Sequence, residues 1–348
     1  MGRGANGRSA RSTDRAVTLA DVARRAGVSA ATASFVLSGR AGRRSSGSAQ
    51  TQEKVRAAAA ELGYVPNRNA RSLRTGRNGG ILLALGTVED PWGVSLAAAV
   101  RDRALPEDLS TLILGDERWF PFLSGSSFDC SFITGIDHAS DGHAQLRQLA
   151  RGTGGIVAFS EQIEPESFDV ISSPAEPAVQ AAYERLRARH DRVELLHSRR
   201  VDPSRRPPYP TRPFAFLDAV QAAGDGDGLD LIHPAGTERE HSLERAVAWL
   251  TGPDRPSAVL ASTGYHAIAL EAAAARAGIR VPDDLEIISI GDIPPDAQLF
   301  GQISYYGVEN VFDRIAGIIL DRALDRDGTP GTLHRFDWEF FPGTTTRD

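Results

Sequence analysis

The sequence predicts a small all-α helix-turn-helix domain at the N-terminus, followed by a larger α/β core of two doubly wound lobes. Apolar residues recur at helical spacing through residues 18–62 and are interrupted by Gly27 and Gly63. From Ile81 onward, short apolar runs alternate with amphipathic segments, which is typical of a parallel α/β sheet. The 348-residue chain contains too many such runs for one compact lobe, so we expect two lobes with a cleft between them.

The segment from Thr18 to Gly39, TLADVARRAGVSAATASFVLSG, has the pattern of two short helices joined by a tight turn. Thr18 and Asp21 have the spacing of a capping box, and Gly27 is suited to end the first helix. Ser29 is a good N-cap for the second helix. This is the shape of a helix-turn-helix motif, whose second helix lies in the DNA major groove with its N-terminal residues at base edges.

A third helix, capped by Ser48 and ended by Gly63, is expected to close residues 17–63 into one helical domain. Pro66 then breaks the helical pattern, and residues 64–78 are expected to form a linker with one short hinge helix. Three arginines of that helix share one face and two apolar residues share another. A helix this short is marginal in water, so we expect it to order on DNA. The hinge residues with a predicted role are Asn67, Arg68, Ala70, Arg71, Leu73 and Arg74.

The charge of the chain is distributed unevenly. Residues 1–80 contain 15 Lys and Arg against 4 Asp and Glu, whereas the remainder contains 24 against 41. A basic N-terminal domain on an acidic core fits nucleic-acid binding by one end only, the alternative being an arginine-biased solvated surface. Residues 1–16, rich in Gly, Ser, Arg and Asn, are expected to be a disordered basic tail.

Residues 79–348 are expected to form the α/β core. We assign about 79–162 and 293–322 to its first lobe, and about 163–292 and 323–348 to its second. Candidate strands lie at 81–85, 111–115, 128–133, 155–160, 193–198, 229–234, 257–262 and 285–291. Candidate helices lie around 94–104, 143–150, 176–189, 212–223, 238–251, 264–277 and 310–325.

Several classes of protein are excluded by what the sequence lacks. No run of about 18 apolar residues could span a membrane, and no apolar secretory segment is present, so we expect a cytoplasmic protein. The single Cys130 excludes an intramolecular disulfide and a multi-cysteine zinc site. No phosphate-binding glycine loop, nucleophile elbow or metal-ligand spacing is found, so we expect neither an enzyme nor a cofactor.

Residues 18–76, with the helix-turn-helix segment and ELGYVPNRNARSLRTG, resemble the DNA-binding domain and hinge of the LacI/GalR family of transcriptional regulators. RPSAVLASTGYHAIALEAAAARAGIRVPDDLEIISIGDIP (255–294) is similar to part of the periplasmic-binding-protein-like core of that family. The resemblance implies a homodimeric regulator, most often a repressor, on a pseudo-palindromic DNA operator. It also implies a small-molecule effector in the cleft between the lobes.

The resemblance places the DNA contacts at the helix-turn-helix and the hinge. Ala30 and Ala31 occupy the main base-reading positions, and alanine can read little more than a thymine methyl. Phe35 stands where the family usually has a base-reading arginine. Either the operator differs at that position, or specificity depends more on the hinge, or Phe35 packs in the domain's own core. Leu73 matches the leucine that wedges into the minor groove. The predicted DNA-binding residues outside the hinge are Thr18, Leu19, Ser29, Ala30, Ala31, Thr32, Ser34, Phe35 and Tyr64.

The resemblance also implies effector-binding positions, several of which are altered. Asp90 and Trp92 resemble an Asn-Pro-aromatic motif, and Arg212 matches an arginine that commonly contacts the ligand. Thr263 with the following glycine replaces an Asn-Asp pair, and Asp292 follows a glycine at the position of the usual pocket aspartate. Either the effector is different and needs fewer polar contacts, or the cleft no longer binds an effector.

Two other functions remain open for this sequence. One is a cytoplasmic small-molecule-binding protein with little DNA function. The basic, uninterrupted segment 18–76 argues against this alternative. The other is an enzyme on a binding-protein-like core, which no catalytic constellation supports.

Overall fold

The computed structural model describes residues 17–37, 48–65, 77–86, 91–152, 154–236, 239–294, 302–325 and 327–347. The chain divides into two compact units, residues 1–76 and residues 77–348. The division falls within the linker predicted at 64–78.

The first unit contains three helices, α1 (Leu19–Ala26), α2 (Ala30–Leu37) and α3 (Ala49–Leu62). Their inward faces form one small apolar core, which explains why helices of eight residues persist here although they are marginal alone. Its buried members are Val22, Ala23, Ala33, Val36, Val55, Ala58 and Ala59.

The first lobe of the second unit is built on a six-stranded parallel sheet with the strand order β11-β5-β4-β3-β1-β2. The strands are β1 (Gly80–Ala84), β2 (Ser110–Leu114), β3 (Cys130–Ile133), β4 (Gly155–Phe159), β5 (Asp169–Ser172) and β11 (Leu333–Arg335). Helices α4 and α11 pack on one face and α5 and α6 on the other. These helices are α4 (Pro91–Ala104), α5 (Trp119–Ser124), α6 (Gly142–Ala150) and α11 (Val311–Leu324).

The second lobe has the same three-layer arrangement around a sheet with the order β12-β10-β9-β8-β6-β7, in which only β12 is antiparallel to its neighbour. The strands are β6 (Glu194–His197), β7 (Ile232–Pro234), β8 (Ala258–Ala261), β9 (Glu286–Ile290), β10 (Ser304–Gly307) and β12 (Glu339–Phe341). Helices α7 and α8 cover one face, and α9 and α10 the other. These helices are α7 (Glu176–Arg187), α8 (Arg212–Ala223), α9 (Arg239–Leu250) and α10 (Gly264–Ala277).

Strand pairing corrects the predicted boundaries of the two lobes. Residues 163–172 were assigned to the second lobe, but β5 pairs with β4 in the first sheet. Residues 304–307 were assigned to the first lobe, but β10 pairs with β9 in the second. β11 lies in the first sheet rather than the second. The chain therefore passes between the lobes three times, after β5, after β10 and after β11, because pairing partners far apart in sequence decide where a strand belongs.

The sequence patterns also missed several short elements. Strands β5, β10 and β11 have only three or four residues each, and α5 has six, so none presents a full period of alternation or of helical spacing. Among the residues that the structure describes, no helix is both long enough and apolar enough to cross a membrane.

Candidate nucleic-acid interface and ligand cleft

The helix-turn-helix is held by side chains at its helix ends. The Thr18 backbone N–H donates to Asp21 Oδ2 at 3.0 Å, and the Asp21 N–H donates back to Thr18 Oγ1 at 3.4 Å, which completes the capping box. Gly27 ends α1 with φ +68°, a conformation that favours glycine. The Thr32 N–H donates to Ser29 Oγ at 3.1 Å, so Ser29 caps α2. The motif therefore has the geometry that its sequence predicts.

The outward face of α2 is nearly free of polar groups. Ala30 and Ala31 are exposed near its N-terminus, and Phe35 is 43 % exposed one turn further on. Ala33 and Val36 point into the core of the first unit. The alternative that Phe35 packs in this core is therefore wrong, because the inward face of α2 is already formed by its neighbours. The same helix contains two hydroxyl side chains that are half-buried, Thr32 and Ser34.

Three further predicted DNA-binding residues are engaged within the domain itself. The Thr18 hydroxyl donates to Asp21 Oδ2 at 2.6 Å. Leu19 and Tyr64 are half-buried and pack against the apolar core. The predicted residues that lie outside the described part of the chain are Asn67, Arg68, Ala70, Arg71, Leu73 and Arg74 of the hinge, together with Asp90 of the second unit.

In the second lobe, polar side chains gather where β6, β8 and β9 end. Ligands of open α/β sheets bind at the carboxyl ends of the strands, so this is the expected location of a binding cleft. Arg212 begins α8 and its Nη1 donates to the Ser262 carbonyl oxygen at 2.7 Å. The Ser262 hydroxyl lies 3.1 Å from His197 Nδ1 and 3.0 Å from His266 Nδ1. The sequence analysis did not identify the serine or the two histidines, since only strand pairing brings them together.

Both histidines of this cluster are neutral at physiological pH. Burial, aided by the charges of Arg212 and Arg199, lowers the pKa of His197 to about 4. Burial also lowers the pKa of His266 to about 4, again with a contribution from Arg212. Within the cluster of Arg212, His197, Ser262 and His266, the charge at physiological pH is therefore that of the Arg212 guanidinium.

The two other predicted effector residues of this lobe have structural contacts. Thr263 caps α10, because its Oγ1 accepts from the His266 N–H at 3.3 Å. Asp292 Oδ1 accepts from the Val308 N–H at 2.8 Å, beside the second passage between the lobes. At Gly291, a Cβ atom would lie 3.5 Å from Arg212 Nη1. The guanidinium thus lies close to the position where the family usually has its pocket aspartate.

Two tryptophans of the second unit have aromatic or cationic neighbours, Trp92 on α4 of the first lobe and Trp338 on the segment between β11 and β12. Trp92 is half-buried and packs against Phe159 and Phe312, with ring centroids 6.2 and 5.9 Å away. Trp338 donates through Nε1 to Ser173 Oγ at 2.8 Å, and the Arg212 guanidinium lies 5.3 Å from its ring. The sequence analysis missed Trp338, because nothing in the local pattern marks this residue of the segment between β11 and β12.

Asp292 gives this region a testable pH dependence. Burial raises its pKa to about 6, although the hydrogen bond from Val308 acts in the opposite direction. A raised carboxyl pKa means that the folded state holds the proton more tightly, so stability from this group is lost as pH rises from about 4 through about 6. Asp292→Asn keeps an acceptor and does not titrate.

We therefore expect Asp292→Asn to be more stable than the parent above pH 6, by at most about 3 kcal/mol, with the difference vanishing towards pH 4. Urea denaturation of both proteins at pH 4.5 and at pH 8 measures this difference in stability. The two pH values lie about one unit or more on either side of the folded pKa of Asp292. A variant that is less stable than the parent at the higher pH would show that the charged carboxylate itself is required.

Two family descriptions match this chain. Residues 18–67 match "Bacterial regulatory proteins, lacI family", and residues 184–308 match "Periplasmic binding protein-like domain". The first covers the helix-turn-helix and the second covers most of the second lobe. The chain belongs to the LacI family.

Curated relatives of this LacI-family chain are transcriptional regulators rather than enzymes. The chain is 32 % identical over 193 residues to the maltose regulon regulatory protein MalI of Escherichia coli (strain K12), of which it spans 54 %. It is 28 % identical over 280 residues to the HTH-type transcriptional regulator DegA of Bacillus subtilis (strain 168), of which it spans 80 %. A crystal structure of the lac repressor dimer bound to operator and the anti-inducer ONPF shares the fold, with a TM-score of 0.63, 21 % identity and coverage of 96 % of this chain and all of that one. The LacI-family chain is a DNA-binding transcriptional regulator.

Proposed function

We propose that this LacI-family regulator is a repressor that binds a pseudo-palindromic operator as a homodimer, with small-molecule control through the cleft between its lobes. The observation that carries the proposal is the capped helix-turn-helix, whose second helix exposes its N-terminal residues. The alternative, a binding protein with little DNA function, is distinguished by a gel-shift titration of the full chain against operator DNA.

The exposed face of α2 supports an unusual mode of base reading. Ala30, Ala31 and Phe35 offer apolar contacts, which suit thymine methyl groups, and no bidentate donor for guanine. An arginine–guanine contact would supply about 1–3 kcal/mol of discrimination. Without it, the hinge and the dimer geometry carry more of the specificity.

Selection of binding sites from random duplexes tests this reading directly. We expect the full chain to select a two-fold symmetric site without a strong guanine preference opposite Phe35. The phenylalanine ring has no hydrogen-bond donor for the guanine edge. Phe35→Arg should introduce such a preference. A guanine recovered by the parent chain at that position would contradict the proposal, and failure to select any symmetric site would contradict the repressor function itself.

Leu73 is proposed as the hinge wedge, on the basis of its match to the family's leucine. An apolar wedge unstacks a base step and gains contacts on a bent duplex. We expect Leu73→Ala to weaken operator binding by roughly a few kcal/mol, the order of the unstacking cost, while sedimentation still shows a dimer. The affinity should also fall steeply with salt concentration through counterion release. An unchanged affinity in a titration at fixed salt would contradict the role of Leu73.

Exposed apolar residues on the first lobe support the homodimer. β2 is an edge strand of its sheet, and Leu112 and Ile113 on it are 40 and 47 % exposed. Val94 on α4, which packs against β2, is exposed as well. An unpaired, apolar sheet edge is a liability in a monomer unless another chain covers it. The arrangement therefore fits a face that is buried between two copies.

A further inference from the structure

A cavity of about 470 Å³ lies at the carboxyl ends of β6 and β7 in the second lobe. This volume is within the range of small-molecule sites. Half of the residues that line this cavity are arginines, and its lining contains no Asp or Glu. The lining residues are Ser198, Arg199, Arg200, Pro234, Gly236 and Arg245.

The walls of the cavity are held by backbone hydrogen bonds. β6 ends at His197, so Ser198 and the two arginines follow directly from the strand. The Gly236 N–H donates to the Ser198 carbonyl at 2.9 Å, which joins the segment after β6 to the segment after β7. Arg245 comes from α9, and its Nη1 donates to the Pro234 carbonyl at 3.1 Å. The three arginines that line this open pocket have exposed side chains, two on the segment after β6 and one on α9.

Arg199, Arg200 and Arg245 give the lining of this cavity a positive charge. Within the described part of the chain, no carboxylate forms an ion pair with Arg199 or Arg200. The effect of this charge extends inward, because Arg199 contributes to lowering the pKa of His197, after burial and Arg212. Like charges gathered in a concave site repel one another, and a bound anion removes that cost.

We propose that the effector of this regulator is a small phosphate monoester, whose phosphate is held by Arg199, Arg200 and Arg245. The inference rests on the proposed function and names the chemical class of the ligand. Arginine presents its donors as a planar fork that fits phosphate oxygens in pairs, and a dianion suits three cations better than a single carboxylate does. The position of the pocket, at the carboxyl ends of two parallel strands, favours a small molecule, because open α/β sheets bind their ligands there.

This proposal explains the altered effector positions. Side chains that usually bind neutral hydroxyls are absent or engaged elsewhere, since Thr263 caps a helix and Asp292 binds a backbone N–H. Arg212 lies near the same strand ends, so the remainder of the ligand would extend from the cavity towards it. A site with few free hydroxyl-binding side chains and with arginines in its lining prefers an anionic ligand to a neutral one.

The test is calorimetric titration of the full chain with glucose 6-phosphate, glucose and citrate as probes. We expect glucose 6-phosphate to bind with a dissociation constant of about 1 mM or tighter, and glucose to bind more weakly. Arg199→Gln/Arg200→Gln and Arg245→Gln should each lower the affinity for the phosphate ester by about tenfold or more, because hydrogen bonds between charged groups are lost. Arg276→Gln, at an exposed position in the last turn of α10, is the matched control and should leave it unchanged.

The outcomes separate this inference from the proposed function. Equal binding of glucose and glucose 6-phosphate, preference for citrate, no binding of the phosphate ester, or unchanged affinity in both pocket variants would each overturn the inference. Operator binding without ligand is measured in parallel by gel shift and should match the parent in every variant. If the parent fails to bind DNA, the proposed function fails, whereas DNA binding without anion binding refutes only the nature of the ligand.

Discussion

Arg322→Met is expected to lower the free energy of unfolding of the second unit by about 3–5 kcal/mol, the usual cost of breaking a buried ion pair from one side. Arg322 lies on α11 and is almost completely buried. Its Nη2 donates to Asp169 Oδ1 at 3.2 Å, and its Nη1 donates to the Thr329 carbonyl at 2.9 Å. The guanidinium thus joins β5 to α11 and to the segment that leads into β11.

The loss arises mainly from the carboxylate that remains. Asp169 is buried on β5, and the Thr332 N–H donates to its Oδ1 at 2.7 Å. Without Arg322 this hydrogen bond remains, but it does not offset the cost of an unpaired buried charge. Adding Asp169→Asn to Arg322→Met removes that charge, so the double variant should recover part of the lost stability.

Urea denaturation followed by tryptophan fluorescence measures the effect. Arg101→Met is the matched control, because Arg101 is exposed on α4 and its ion pair among the described residues is with its neighbour Asp102 at the surface. An exposed pair of this kind is worth about 0–1 kcal/mol. If Arg322→Met is as stable as Arg101→Met, the proposed role of the buried arginine is wrong.

Val55→Asn is expected to abolish operator binding while leaving the second unit folded. Val55 is completely buried on α3, in a core that has seven buried members among the described residues of the first unit. The substitution loses about 1.5–3 kcal/mol of apolar burial and adds about 1–3 kcal/mol for an unpaired amide. A domain of this size has a stability of about 0.05–0.15 kcal/mol per residue, so the helix-turn-helix should unfold.

The readout must separate folding of the first unit from direct contact with DNA. Val55 is on α3 rather than on α2, so its effect on binding acts through the fold of the domain. Ala60→Asn, at an exposed position of the same helix, is the control and should retain operator binding. A gel shift measures binding, and tryptophan fluorescence reports the folding of the second unit, which contains all four tryptophans of the chain. Retained operator binding by Val55→Asn would show that this core does not determine the fold of the domain.

Local patterns in the sequence were sufficient for the helix-turn-helix. Its capping box, its glycine C-cap and its apolar stripe all involve residues within a few positions of one another, and the structure has each of them. The same holds for the long helices and central strands of the second unit, where spacing covers more than one full period. The inward or outward direction of Phe35 was not decided by the sequence, because both fit an apolar residue on α2.

Contacts between distant segments decided the rest. Short strands such as β10 and β11 are stabilised by pairing with strands that lie more than ten residues away in the chain, so their lobe cannot be read from local pattern. The same is true of the cleft. His197, Ser262 and Arg212 come from three separate elements. The arginines of the cavity come from the segment after β6 and from α9, and Arg200 and Arg245 are 45 residues apart in the chain. Side chains that bind one ligand need only be close in space, and in this chain the folding of the second sheet brings them there.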